Sequence, residues 1–315
     1  MPAMPTMIDT AAVRRALPAD ARLSFDVAAD GWRLRRFARA GAGRGALMFQ
    51  GGRGDMIEKY LEAFSDWHAR GWSVTAFDWR GQGGSGRLCP NPHVGHCSDF
   101  TPLIDDLAEV WRRWTAEQDG PHVIVGHSMG AYMVLRALLD DAIRADAVVL
   151  VAPMLGLRSP VGSWLGARVA RAMLRLGDPT RAAWKSHERP GMLPRQRLLT
   201  ADAARYADEE WWLTAQPDLR LGPPSWAWLA EAFAATARLR TDPKLATLTT
   251  PVLMLVADND RLVDPRAAAQ VAVQLPDATL VRFGPDAAHE LLREADPVRQ
   301  RAMAEIDAFL DRHAA

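Results

Sequence analysis

Short apolar runs alternate with amphipathic stretches through the first half of the chain, the pattern of a sheet interleaved with helices. The runs at 22–27, 32–38, 46–50, 73–78, 122–125 and 147–152 read as strands, and 56–70 and 100–118 as helices. Within the second helix, Leu103, Leu107, Val110, Trp111 and Trp114 recur at helical spacing and define one apolar face. Val123-Ile124-Val125 is apolar without alternation, as expected of a parallel strand covered on both faces. The rhythm breaks near Leu157. Residues 158–248 carry helical patterns and several prolines but no convincing strand. Alternation then resumes with a strand at 252–257, a helix at 265–274, a strand at 279–283 and a helix at 297–312. A sheet that stops and restarts implies an insertion into one domain. The expectation is an α/β protein with a mostly parallel central sheet flanked by helices. Residues 1–157 and 249–315 would form its core domain, and 158–248 an inserted helical cap.

Composition narrows the function classes. A chain of 315 residues with 49% hydrophobic and 24% charged residues buries a full core without staples. Lys plus Arg equals Asp plus Glu at 38 each, so no net positive charge is available to neutralise phosphates, which argues against nucleic acid as a partner. Two cysteines, Cys89 and Cys97, are too few for a disulfide framework. There is no run of 18 apolar residues, and the first twenty residues lack the apolar core of a signal peptide, so a cytoplasmic location is expected. One count is unusual: 12 Trp against 9 Phe and 3 Tyr.

The sharpest local signal is Gly126-His127-Ser128-Met129-Gly130, which fits G-x-S-x-G between a buried-type strand and a helical run at 131–140. That context places Ser128 on a tight strand-to-helix turn at the carboxyl end of the sheet. Serine needs a base within hydrogen-bond reach to become a nucleophile. In this arrangement the acid and then the histidine follow the serine in chain order. Of the eight histidines, His289 lies just after the last strand, where the base belongs. His127, inside the turn, is expected to point away from the serine and pack. The loop after strand 252–257 offers Asp258, Asp260 and Asp264, of which Asp264 suits the N-cap of the next helix. The backbone N–H of Met129 is one expected oxyanion donor. The glycine-rich loop Gly51-Gly52-Arg53-Gly54-Asp55 should supply the other through the N–H of Arg53, with Gly52 against the substrate.

These pieces resemble the α/β-hydrolase superfamily, and within it the bacterial lysophospholipase and monoacylglycerol lipase branch. The likeness is carried by FQGGRGDMIEKYLE (49–62), FDWRGQGGSGR (77–87), NPHVGHCSDFTPLIDDL (91–107), VGHSMGA (125–131) and AAHELLREAD (287–296). It runs from about residue 20 to the C-terminus. It implies an α/β-hydrolase fold and a serine hydrolase that cleaves carboxylic esters, typically of monoacyl lipids, without metal or organic cofactor. It also favours Asp260 over Asp258 as the acid, because Asp260 directly precedes Arg261-Leu262-Val263. The chain departs from the branch at Gly51-Gly52, where His-Gly is common. Alternatives within the fold are a short-chain carboxylesterase, a thioesterase or a peptidase, and outside catalysis a ligand-binding fold.

Six of the tryptophans and fourteen basic against nine acidic residues fall within 158–248. Indole rings favour polar–apolar boundaries, so the cap is expected to face lipid, with Trp211 and Trp212 on the substrate and a transient membrane-surface contact. Their alternative role is to anchor the cap. The run Cys89-Pro90-Asn91-Pro92-His93-Val94-Gly95-His96-Cys97 holds four metal-ligand types but matches no structural zinc spacing, and no metal is expected there.

Overall fold

The computed structural model describes residues 10–185 and 194–314. Eight strands form one sheet in the order β1-β2-β4-β3-β5-β6-β7-β8. They are β1 Arg22–Val27, β2 Arg33–Arg39, β3 Gly45–Gln50, β4 Trp72–Phe77, β5 His122–His127, β6 Ala147–Val151, β7 Val252–Ala257 and β8 Ala278–Phe283. The two ladders that involve β2 are antiparallel, and every pairing from β4 to β8 is parallel. Strands β3, β6 and β7 are buried at every position, which accounts for their unbroken apolar sequence.

Helices α1 Thr10–Arg15, α2 Leu61–Ala69, α3 Thr101–Glu117 and α4 Met129–Leu139 precede the insertion. Helices α5 Ser163–Arg175, α6 Arg195–Leu199, α7 Ala203–Ala215 and α8 Trp226–Arg240 form it, and α9 Pro265–Ala272 and α10 Asp296–His313 follow. Alternate strand residues feed two apolar layers. Met48, Ile124 and Val148 meet Leu107 and Trp114 of α3 and Met133 of α4, whereas Leu47, Val125 and Val149 meet Phe64 and Trp67 of α2 and Ile306 and Phe309 of α10. The stretch expected as one helix at 56–70 starts instead as a 3₁₀ turn, Ile57–Tyr60, before α2. That tighter turn keeps Glu58, Lys59 and Tyr60 all buried.

The chain passes from β3 to β4 on one side and then crosses back to β5 on the other. Such a switch leaves a crevice beyond the carboxyl ends of the two central strands, where open α/β sheets bind ligands. Here Gln50 of β3 pairs with Gly126 of β5, so the loops that follow, at 51–55 and at Ser128, lie abreast.

Among the described residues the insertion is helical, and residues 186–193 of it lie outside them. It is tied in by packing and by charge. Trp228 and Leu239 of α8 join the layer under α3 and α4. From α7, Arg205 donates to Glu62 of α2 twice at 2.8 Å, to Asp296 of α10 and Asp202 at 2.7 Å, and to the Glu294 carbonyl at 2.9 Å. Removing one partner of a buried ion pair strands the others. Arg205→Ala is therefore expected to cost about 3–5 kcal/mol of stability, read as a lower urea midpoint, and an unmoved midpoint would refute this anchoring role.

Candidate active site

Ser128 caps the N-terminus of α4 with φ of 52°, a left-handed conformation rare for any residue but glycine. The surrounding backbone holds it there: its N–H donates to Val151 at 2.9 Å, and its carbonyl accepts from Met154 at 3.0 Å. The turn requires bare backbone beside it. A Cβ on Gly130 would lie 2.4 Å from the Gln50 carbonyl oxygen, and one on Gly52 would lie 3.0 Å from the Ser128 Cβ.

The loops after β7 and β8 bring two further side chains to the serine. His289 Nε2 stands 2.9 Å from Ser128 Oγ, and His289 Nδ1 stands 2.6 Å from Asp260 Oδ2. With the proton on Nδ1, the ring donates to Asp260 and accepts from the serine hydroxyl. The other oxygen of Asp260 accepts from the backbone N–H groups of Leu262 and Val263, at 2.8 and 3.0 Å, which aims the carboxylate at the histidine. All three residues are buried. Asp258 is exposed and pairs with Arg282, while Asp264 caps α9 as expected. Burial favours the neutral imidazole, yet the Asp260 carboxylate outweighs it and raises the His289 pKa above its ordinary value.

Two main-chain donors frame the serine. The Met129 N–H is in the first turn of α4, where no helical carbonyl is available to it. In the facing loop, Gly52 N–H is held by Asp55 Oδ2 at 2.6 Å and Gly54 N–H by Gln82 at 2.6 Å. The Arg53 N–H between them has no hydrogen-bond partner among the described residues. The arrangement is that of a nucleophile, a base, an orienting carboxylate and a pair of amides for developing negative charge.

Sequence reasoning missed what braces this row. Lys59 is buried with three carboxylates around it: Asp55 at 2.6 Å, Glu290 at 2.5 Å and Glu209 at 3.4 Å. Arg293 bonds both Glu209 and Glu290, and Arg195 bonds Glu209 at 2.7 Å. Burial would lower the Lys59 pKa, but the three carboxylates prevail and raise it. Burial and the adjacent Asp55 carboxylate push the Tyr60 phenol well above its usual range. His127 is buried as expected, and in addition its Nδ1 meets Tyr60 Oη at 2.9 Å and Asp55 at 3.1 Å. The available signal was the charge within EKY and HELL, in stretches that otherwise read as core.

Above Ser128 opens a cavity of about 390 Å³, within the range of small-molecule sites. Gly52, Arg53 and His289 line it, with Trp184, Trp226 and Trp228 of the insertion. Trp211 and Trp212 do not. Adjacent residues on a helix point about 100° apart, and here Trp212 is buried with its Nε1 donating to the Arg14 carbonyl at 2.8 Å, whereas Trp211 is 40% exposed beneath Arg15. The side chains of the cysteine–histidine run are engaged separately: Cys97 Sγ donates to the Asp99 carbonyl, and His96 meets Ser225.

Residues 41–296 match the family described as serine aminopeptidase, S33. The chain is 31% identical over 281 residues to lysophospholipase L2 of Escherichia coli K12, covering 83% of this chain and 79% of that protein. It is 27% identical to the probable lysophospholipase L2 of Haemophilus influenzae, covering 85% and 84%. Its fold is similar to a soluble variant of monoglyceride lipase from Saccharomyces cerevisiae solved with a substrate analog, with a TM-score of 0.77, 17% identity and coverage of 95% and 97%. It is also similar to the Paleococcus ferrophilus monoacylglycerol lipase, with a TM-score of 0.69, 20% identity and coverage of 88% and 98%.

If His289 must be neutral to accept a proton, activity falls as pH drops through its raised pKa. Asp260→Asn removes the charge that raises it, so the acidic limb of kcat/KM should move to lower pH while kcat drops by roughly 10⁴. A pH–rate profile on a soluble ester checks both, and a limb that stays in place would exclude Asp260 as the charge felt by His289.

Proposed function

The chain belongs to the serine aminopeptidase, S33, family, as a serine ester hydrolase of the lysophospholipase and monoacylglycerol lipase kind, and we propose that Ser128, His289 and Asp260 carry its chemistry on monoacyl lipids. The observation behind this reading is the hydrogen-bonded row Ser128–His289–Asp260 on the floor of a largely apolar cavity. Ser128 Oγ attacks the ester carbonyl carbon and its proton passes to His289 Nε2. Asp260 stabilises the imidazolium, and the Met129 and Arg53 amides receive the tetrahedral oxyanion. Collapse expels the glycerol-side alcohol, which takes the proton from His289. Water, deprotonated by the same histidine, then hydrolyses the acyl-enzyme and frees Ser128.

In this reading residues 158–248 are a cap over a core made of the remainder, and Trp184 and Trp226 face the acyl chain. A membrane-surface contact would run through α5. Its outer face exposes Trp164 at 70% and Leu165 at 43%, with Leu176 beyond its end at 78%, among the exposed Arg168, Arg171 and Arg175. Apolar and basic side chains on one amphipathic helix suit an anionic lipid surface. Among the described residues no helix is long and apolar enough to cross a membrane. A cytoplasmic location belongs to the same proposal.

A fluorophosphonate should label the wild type and not Ser128→Ala, and an acyl series should show monoacyl lipids preferred to short synthetic esters. Failure to label Ser128 would remove the catalytic assignment. Trp164→Ser with Leu165→Ser should cut hydrolysis of vesicle-borne substrate at least fivefold more than that of a soluble ester, whereas equal losses would assign α5 to cap packing alone.

A further inference from the structure

The cavity above Ser128 carries more positive charge than its own carboxylates satisfy. Of its cations, Lys59 and Arg195 each have carboxylate partners. Arg53 and Arg158 line the same cavity, and among the described residues neither forms an ion pair. The carboxylates on the wall, Asp55 and Glu290, are both already held by Lys59.

Arg53 is the more confined of the two. Its guanidinium carbon lies 5.4 Å over the Trp228 ring, and Nη2 donates to the Gly222 carbonyl. Nε is buried without a partner. Burial, with the like charge of Arg195, pushes the Arg53 pKa down, against the weaker pull of Asp55. Arginine releases its proton reluctantly, so this is a cation held at a cost that an anion in the cavity would relieve. The residue follows Gly52, which abuts Ser128, so its side chain serves groups a few bonds from the scissile carbonyl.

The geometry points to Arg53 as the residue that reads the headgroup, selecting monoacyl lipids with a phosphate ester on the glycerol side over neutral monoacylglycerols. This rests on the serine-hydrolase reading above. A guanidinium offers a planar fork to phosphate oxygens, and its contacts with Trp228 and the Gly222 carbonyl hold it at the cavity. Arg158, on the same wall, adds to the positive field. A neutral glycerol headgroup leaves both charges unmet.

The test compares eight-carbon lysophosphatidylglycerol with eight-carbon monoacylglycerol, below their micelle concentrations. Wild type should favour the phosphate-bearing lipid. Arg53→Met should reduce that preference at least tenfold, mainly through KM, and Arg53→Lys should restore part of it. Both lipids release the same fatty acid, so a site for the product carboxylate would lower both rates together and overturn the proposal. Binding to Ser128→Ala, followed by tryptophan fluorescence, reads the same preference without turnover. Equal affinity for the two lipids there, or a preference that survives Arg53→Met, would also overturn it. If that binding preference is lost on Arg53→Met while wild type fails to react with fluorophosphonate, it is the hydrolase reading that fails and not the headgroup assignment.

Discussion

The buried ammonium of Lys59 is the constraint around which the site is assembled. It gathers carboxylates from three separated parts of the chain: Asp55 from the loop after β3, Glu290 beside His289, and Glu209 from α7 of the insertion. Three cations, Lys59, Arg195 and Arg293, meet these three carboxylates out of water. Such a cluster contributes little net stability, because desolvation offsets the attraction. Its effect is on uniqueness, since any misplacement of one segment leaves a charge buried alone. The loop carrying the Arg53 amide, the loop carrying His289 and helix α7 are thus positioned by one another.

The same cluster reaches the nucleophile by a second route. Asp55 accepts from Lys59, Tyr60 and the Gly52 amide, and also meets His127, the residue immediately before Ser128. The serine is therefore supported from below by polar contacts and from the side by His289. Its left-handed backbone conformation persists because the flanking hydrogen bonds over-determine it.

Much of this was legible in the sequence, and the remainder was hidden for identifiable reasons. Strand and helix periods are local, so the sheet elements emerged within a residue or two, and β7 matched at both ends. The elbow and the order of serine, acid and histidine are likewise properties of short segments, which led to Ser128, Asp260 and His289. Ion pairing across 150 to 230 residues leaves no such trace: Lys59 and Glu209 look like ordinary helix-surface residues until the fold brings them together. The polar partners of His127 were hidden for the same reason, because they lie 67 and 72 residues away. The tryptophans of the insertion were rightly noticed, but composition carries no direction. Only the fold separates Trp228, over the cavity, from Trp212, locked against α1.

The insertion is attached unequally along its length. On the α7 side it is fastened by Arg205, Glu209 and Asp208 to the core and to α1. On the α5 side it rests on α8 with only Ala170 of the helix buried. Charge networks resist sliding because each displacement breaks several bonds at once. On the α7 side the segment is thus bound into the same charge cluster that braces the catalytic row, and on the α5 side it is held through α8.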